Sequence, residues 1–177
     1  MTRSQEWLGY YRKIKGCNWV GTWFEVRGEW LMGLIVDPGA SFSLIGMQTL
    51  GNLRDCVLWP NNRDYEVNHN TVQRVSGIDG VSSDCHGVAT IPLGLGPVEF
   101  IWTANIMRTN TGYHCPGLLG NEVLQANNVS IHWGWYANGD ALMVWPDKTD
   151  TSKTHGIRLY LSDGGHLILR VDRYPEK

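Results

Sequence analysis

The longest wholly apolar-or-glycine run in this chain is W-L-M-G-L-I-V, Trp30 to Val36, closed by Glu29 on one side and Asp37 on the other. A run this short bounds what the chain can become. A helix that crosses a bilayer needs about 20 consecutive apolar residues, so no membrane insertion is expected. Being apolar on both faces, the run suits a central, buried strand better than a half-exposed one. The run W-V-G-T-W-F-E-V from Trp19 precedes it, and Arg27-Gly28-Glu29 separates the two as a tight turn.

The same grammar of short aromatic and β-branched runs continues downstream. Residues 42–53 read as a strand followed by a short helix, and Pro60 to Asn70 as a polar exposed loop. T-V-Q-R-V-S-G-I-D-G, G-V-A-T-I-P-L and V-E-F-I-W-T-A-N-I-M are three strand-like runs punctuated by glycine and proline. A helix starts at Asn121, a suitable N-cap, with Glu122 in its first turn and Val123, Leu124 and Gln125 continuing it. V-S-I-H-W-G-W-Y and A-L-M-V-W pair about Ala137-Asn138-Gly139-Asp140. I-R-L-Y-L-S and H-L-I-L-R-V flank Asp163-Gly164-Gly165 as a hairpin. The first fifteen residues carry Trp7, Leu8, Tyr11 and Ile14 on one helical face. The expected organisation is an N-terminal extension, helical, over 1–18; a β domain over 19–145; a polar linker over 146–156; and a C-terminal hairpin over 157–177, packed on the domain or at a dimer interface.

Charge excludes further classes. With 15 Lys+Arg against 17 Asp+Glu, the net charge of −2 offers no basic surface, so no nucleic acid partner is expected. No apolar h-region follows the basic residues near the start, which reads as an intracellular, cytoplasmic setting. Cys17, Cys56, Cys85 and Cys115 lack C-x-x-C spacing and read as reduced, buried small hydrophobes. Cys85-His86 and His114-Cys115 have no recognised zinc spacing, so neither a metal nor an organic cofactor is expected. Most of the nine tryptophans fall at strand positions and are expected in the core.

The segment most suited to chemistry is L-I-V-D-P-G-A-S, residues 34 to 41. An apolar strand delivers the carboxylate of Asp37 at its end, and Gly39 and Ala40 leave almost no bulk beside it. A carboxylate held rigidly there suits general acid/base work, since burial and a like-charged neighbour raise its pKa toward working pH. The plainer reading of Asp-Pro-Gly is a turn. Well downstream, C-P-G-L-L-G-N-E-V-L-Q puts two leucines and a glycine ahead of the capped helix.

Taken in order, L-I-V-D-P-G-A-S, the G-I-D-G stretch, G-V-A-T-I-P-L and P-G-L-L-G-N-E-V-L resemble the retropepsin-like aspartic proteases of retroviruses and retrotransposons, over about residues 19 to 133. The resemblance implies a mainly β, closed barrel-like acid-protease fold with a flap hairpin and one short helix. It implies that Asp37 is the catalytic aspartate, with Pro38, Gly39, Ala40 and Ser41 as its loop. Val75, Ser76, Gly77, Ile78, Asp79 and Gly80 match the flap over bound peptide. Leu118, Leu119 and Gly120 match the strand beneath the catalytic loop, with Asn121 where Asp or Asn is usual. The implied activity is peptide-bond hydrolysis on a peptide or polyprotein substrate, in a chain derived from a retroelement polyprotein.

Such hydrolysis needs two carboxylates sharing one proton. Asp79-Gly80 and Asp163-Gly164-Gly165 read as turns, which leaves a single D-x-G-A motif and implies a homodimer contributing Asp37 twice. One position departs from the family pattern: the usual Thr or Ser after the aspartate is Pro38, without hydroxyl or N–H. The alternative reading is therefore an inactive retropepsin-like domain kept as a protein-binding or assembly module.

Overall fold

The computed structural model describes residues 13–14, 17–18, 22–76, 82–108 and 115–176. Two short strands, β1 (Lys13–Ile14) and β2 (Cys17–Asn18), pair antiparallel. The helix expected over the first fifteen residues otherwise lies outside the described residues. Lys13 and Ile14 are extended instead, as suits a β-branched residue two positions from the helix-weakening Gly16.

β3 (Trp23–Val26) and β4 (Glu29–Val36) form the expected hairpin, in register Val26↔Glu29. Its turn puts Arg27 at φ 47° and Gly28 at φ 85°. Both angles are left-handed, as the two-residue turn matching strand twist requires. β5 (Leu44–Gly46) then leads into α1 (Met47–Leu53), which widens into a π-helical turn at Arg54–Leu58 and tightens to 3-10 geometry at Trp59–Asn61.

The longest strands follow: β6 (Glu66–Ser76), β7 (Ser82–Leu95) and β8 (Glu99–Met107). β6 begins inside the stretch expected as an exposed loop. Tyr65 and Val67 are half-buried while Glu66 and Asn68 face solvent, so a period of two was present but masked by polar composition. Downstream lie β9 (Leu118–Leu119), α2 (Asn121–Ala126), β10 (Ser130–His132), β11 (Ala141–Pro146), β12 (Thr154–Leu161), β13 (Leu167–Arg170) and β14 (Asp172–Arg173). With 50% strand against 15% helix, the chain is mainly β.

The hydrogen-bonded order is an open path, β10-β11-β12-β13-β4-β9-β5-β8-β7-β14, with β3 on β4 and β6 on β7. Residues 147–153 connect β11 to β12 as a hairpin loop. Asp147 organises it, its Oδ1 accepting from Thr149 N and Oγ1 at 2.9 and 2.8 Å and from Asp150 N at 3.0 Å. The C-terminal hairpin belongs to the same sheet, because β13 pairs with β4 and β14 pairs parallel with β7.

β4 is buried on both faces, as its composition predicts. Met32, Leu34 and Val36 enter the main core with Ile45, Leu93, Trp102 and Leu169, while Ile35 joins Phe24, Cys115, Leu118 and Ile168. Trp133 and Trp135 contradict the core expectation at 66% and 60% exposure. β10 stops at His132, and Gly134 at φ 64° turns the chain, so both rings sit on a loop instead of a strand. No helix among the described residues is long and apolar enough to cross a membrane.

Candidate functional site

Asp37 follows the buried end of β4, and β9, arriving from far along the chain, lies between β4 and β5. β4 and β9 run parallel, with Ile35↔Leu118 and Val36↔Leu119 paired. Ile35 N donates to Gly117 O at 2.8 Å and Asp37 N to Leu119 O at 3.0 Å, so the ladder continues to the aspartate itself. Leu118, Leu119 and Gly120, expected beneath the loop that carries Asp37, are thus beside it.

The loop then closes as a turn, Ala40 N donating to Asp37 O at 3.1 Å. Pro38 occupies the second turn position, where its fixed φ suits the geometry and its missing N–H leaves no bond unmade. Asp37 Oδ1 accepts from Gly39 N at 3.0 Å. A Cβ added at Gly39 would meet nothing nearer than that same Oδ1, at 3.3 Å. The backbone conformation therefore does not demand the glycine, and a side chain there would need only a small shift of the Asp37 carboxylate. Pro38, Gly39, Ser41 and Phe42 are exposed, whereas Asp37 and Ala40 are half-buried.

Behind this exposed face the loop is stapled to the β9–α2 junction. Asn121 N donates to Ala40 O at 2.7 Å. The buried Ser43 hydroxyl accepts from Gly120 N at 2.9 Å and from Trp102 Nε1 at 3.1 Å. Ser43 N donates to Glu122 Oε1 at 2.8 Å, and Ser43 O accepts from Asn105 N and Nδ2 at 3.0 and 3.1 Å. The other oxygen, Glu122 Oε2, is buried without a hydrogen-bond partner. A Cβ on Gly120 would fall 2.6 Å from Phe42 C and 2.7 Å from Ser43 N, so only glycine permits this approach. Gly120 is the helix N-cap, and Asn121, expected as the cap, sits one residue inside α2.

β6 and β7 form the hairpin expected to carry the flap, paired from Glu66↔Thr90 to Ser76↔Ser82, with a register shift between Asn68 and Val72. Val75 and Ser76 belong to its outgoing strand; Gly77, Ile78, Asp79 and Gly80 lie outside the described residues. No second carboxylate is hydrogen-bonded to Asp37 among the described residues. His114 also lies outside them, and no cluster of three or more metal-ligating side chains occurs within them. Burial pushes the Cys115 thiol up to about 12, with Cys85 adding to the effect, so it stays protonated.

Sequence reasoning missed Ser43 and the second role of Glu122. Ser43 alternates with Ile45 as a buried position leading into β5, a pattern that a polar residue hides. Glu122 was expected only as a first-turn acid, yet its carboxylate reaches back across the loop. Also missed was Asp140, fully buried at 0% exposure, which accepts from Arg27 Nη1 and Nη2 at 2.9 and 2.8 Å, Arg158 Nε at 2.7 Å and Leu161 N at 2.8 Å. No family model, curated protein or solved structure matches this chain.

Proposed function

We propose that the chain is one half of a retropepsin-type aspartic endopeptidase, hydrolysing peptide bonds with a dyad made of Asp37 from each of two copies. One observation carries the reading. Asp37 ends a rigid, doubly buried strand, its loop is tied from behind to residues 117–122, and its open side is bordered by Pro38 and Gly39, which leave room for a second loop. In such a dyad the ionised carboxylate takes a proton from water as the oxygen attacks the peptide carbonyl carbon. The protonated carboxyl donates to the carbonyl oxygen, and the C–N bond breaks as the amine takes up a proton. Two like charges this close cannot both ionise, which keeps one proton in the site. The hairpin β6–β7 would cover the peptide, and backbone pairing would hold it extended.

The cross-loop hydroxyl bonds that the resemblance implies have no donor at Pro38. Stiffness here comes from proline's fixed φ and from the Ser43 and Glu122 bonds behind the loop. Purified chain incubated with a peptide library between acid and neutral pH is expected to cut, and Asp37→Asn to abolish cutting while keeping the fold. No cleavage by the wild type would overturn the reading.

Pro38 together with the exposed Trp133 and Trp135 favours a second reading, an inactive domain of this type that binds a protein partner or an assembly. A strict monomer in light scattering, leaving Asp37 unpaired, would favour it. If the site works but is weakened, Pro38→Thr raises activity.

A further inference from the structure

We propose that the cleft between the β3–β4 turn and strands β12 to β14 binds a phosphate-type oxyanion, free or as the monoester of a small molecule. It measures about 370 Å³, and three arginines, Arg27, Arg170 and Arg173, line it together with Tyr160. Glu29 is the single acidic residue in its lining.

The pairing of these arginines separates the cleft from an ordinary surface ion-pair network. Arg27 spends both terminal nitrogens on Asp140, which leaves its Nε. Asp140 also holds Arg158, so two guanidiniums share one carboxylate behind the wall. Arg170 gives Nε and Nη2 to Asp172 at 2.6 and 3.3 Å, which leaves Nη1. The Arg173 side chain makes no hydrogen bond or ion pair among the described residues. Two forks are therefore fixed in position by carboxylates and a third is left over.

Arg27 strengthens the case. It sits at φ 47°, a conformation that Asn, Asp or Gly adopts with less strain. The chain accepts that strain and gains a guanidinium anchored on the buried Asp140 at the edge of the cleft. Planar forks match the oxygens of a phosphate better than a point cation does: Arg173 supplies the uncompensated charge, while Arg27 Nε and Arg170 Nη1 supply positioned donors. Leu31 adds an apolar wall suited to the organic part of a monoester. Because the cleft lies at the start of β4 and Asp37 follows its end, the inference does not depend on the protease reading.

The test is calorimetric titration of the full chain with inorganic phosphate and with phenyl phosphate, against chloride at matched ionic strength. Saturable binding is expected, weakened roughly tenfold in Arg173→Gln and in Arg170→Gln, since each removes a charge-assisted bond. Arg173→Gln should keep the wild-type melting temperature, and Asp37→Asn the wild-type binding. Tighter binding of phenyl phosphate supports a monoester ligand; equal binding of both supports the free ion. A response that fails to saturate, or one unchanged in Arg173→Gln, would overturn the proposal and leave a structural ion-pair network only.

Discussion

Two buried polar residues hold more of this structure than their size suggests. Ser43 accepts from a backbone N–H and an indole N–H in a place that water does not reach. Ser43→Ala strands both donors and is expected to cost about 2–4 kcal/mol in a urea unfolding curve. Asp140 is the second. Burial alone would raise its pKa, but the bonds from Arg27, Leu161 and Arg158 outweigh that and hold the carboxyl below the usual range. A group depressed in the folded state stabilises it fully above the unfolded pKa, about 3.9, and that contribution disappears as pH falls through the folded value. Asp140→Ala removes the acceptor of the Leu161 amide and of two guanidiniums that water can partly reach, and a loss of about 1–3 kcal/mol is expected near neutral pH. The difference between wild type and Asp140→Asn, followed by urea midpoints from pH 6 down to 2, should shrink toward the acid end. A constant difference would show that the charge contributes nothing. None of this is visible in the sequence, where Asp140 follows Asn138-Gly139 and looks like one more turn residue.

Among the elements, β4 was legible in its composition, whereas β9 was expected only through the family resemblance. A strand whose alternate residues are all apolar announces that it is buried on both faces, and Met32 to Val36 are. A two-residue strand has no period to detect. β9 exists because Gly117 and Gly120 let the chain pass close to Leu34 and to the Phe42–Ser43 backbone. The two glycines beside Asp37 accordingly separate two kinds of constraint. Gly120→Ala drives a methyl into backbone and should cost several times more in melting temperature than Gly39→Ala, whose methyl meets only the Asp37 carboxylate, a side chain that can shift by a few tenths of an ångström. If Gly39→Ala melts like the wild type but loses cleavage, the glycine serves something outside its own chain, as the half-site reading requires. Equal losses of stability from both substitutions would remove that argument. The expected loop over Pro60 to Asn70 holds at residues 62–65 but gives way to strand from Glu66, where the cross-strand bonds to β7 outweigh a polar composition that disfavours a strand.

For the whole molecule, the mainly β class followed from the glycine-punctuated runs, but the connections did not, because pairing between distant strands leaves no local trace. The number of copies is the property on which the proposed activity turns. Specific cleavage activity should fall on dilution as a dimer dissociates, and light scattering should report the change over the same concentrations. Activity that stays proportional to concentration while the particle remains a monomer would exclude an intermolecular dyad. The insertion of β9 between β4 and β5 also sets an order in time. The amide of Asp37 can find its acceptor only after Leu119 has been made, long after strands β6 and β7. During synthesis the loop that carries Asp37 therefore stays open almost to the last third of the chain, and it closes only once the ribosome has passed α2.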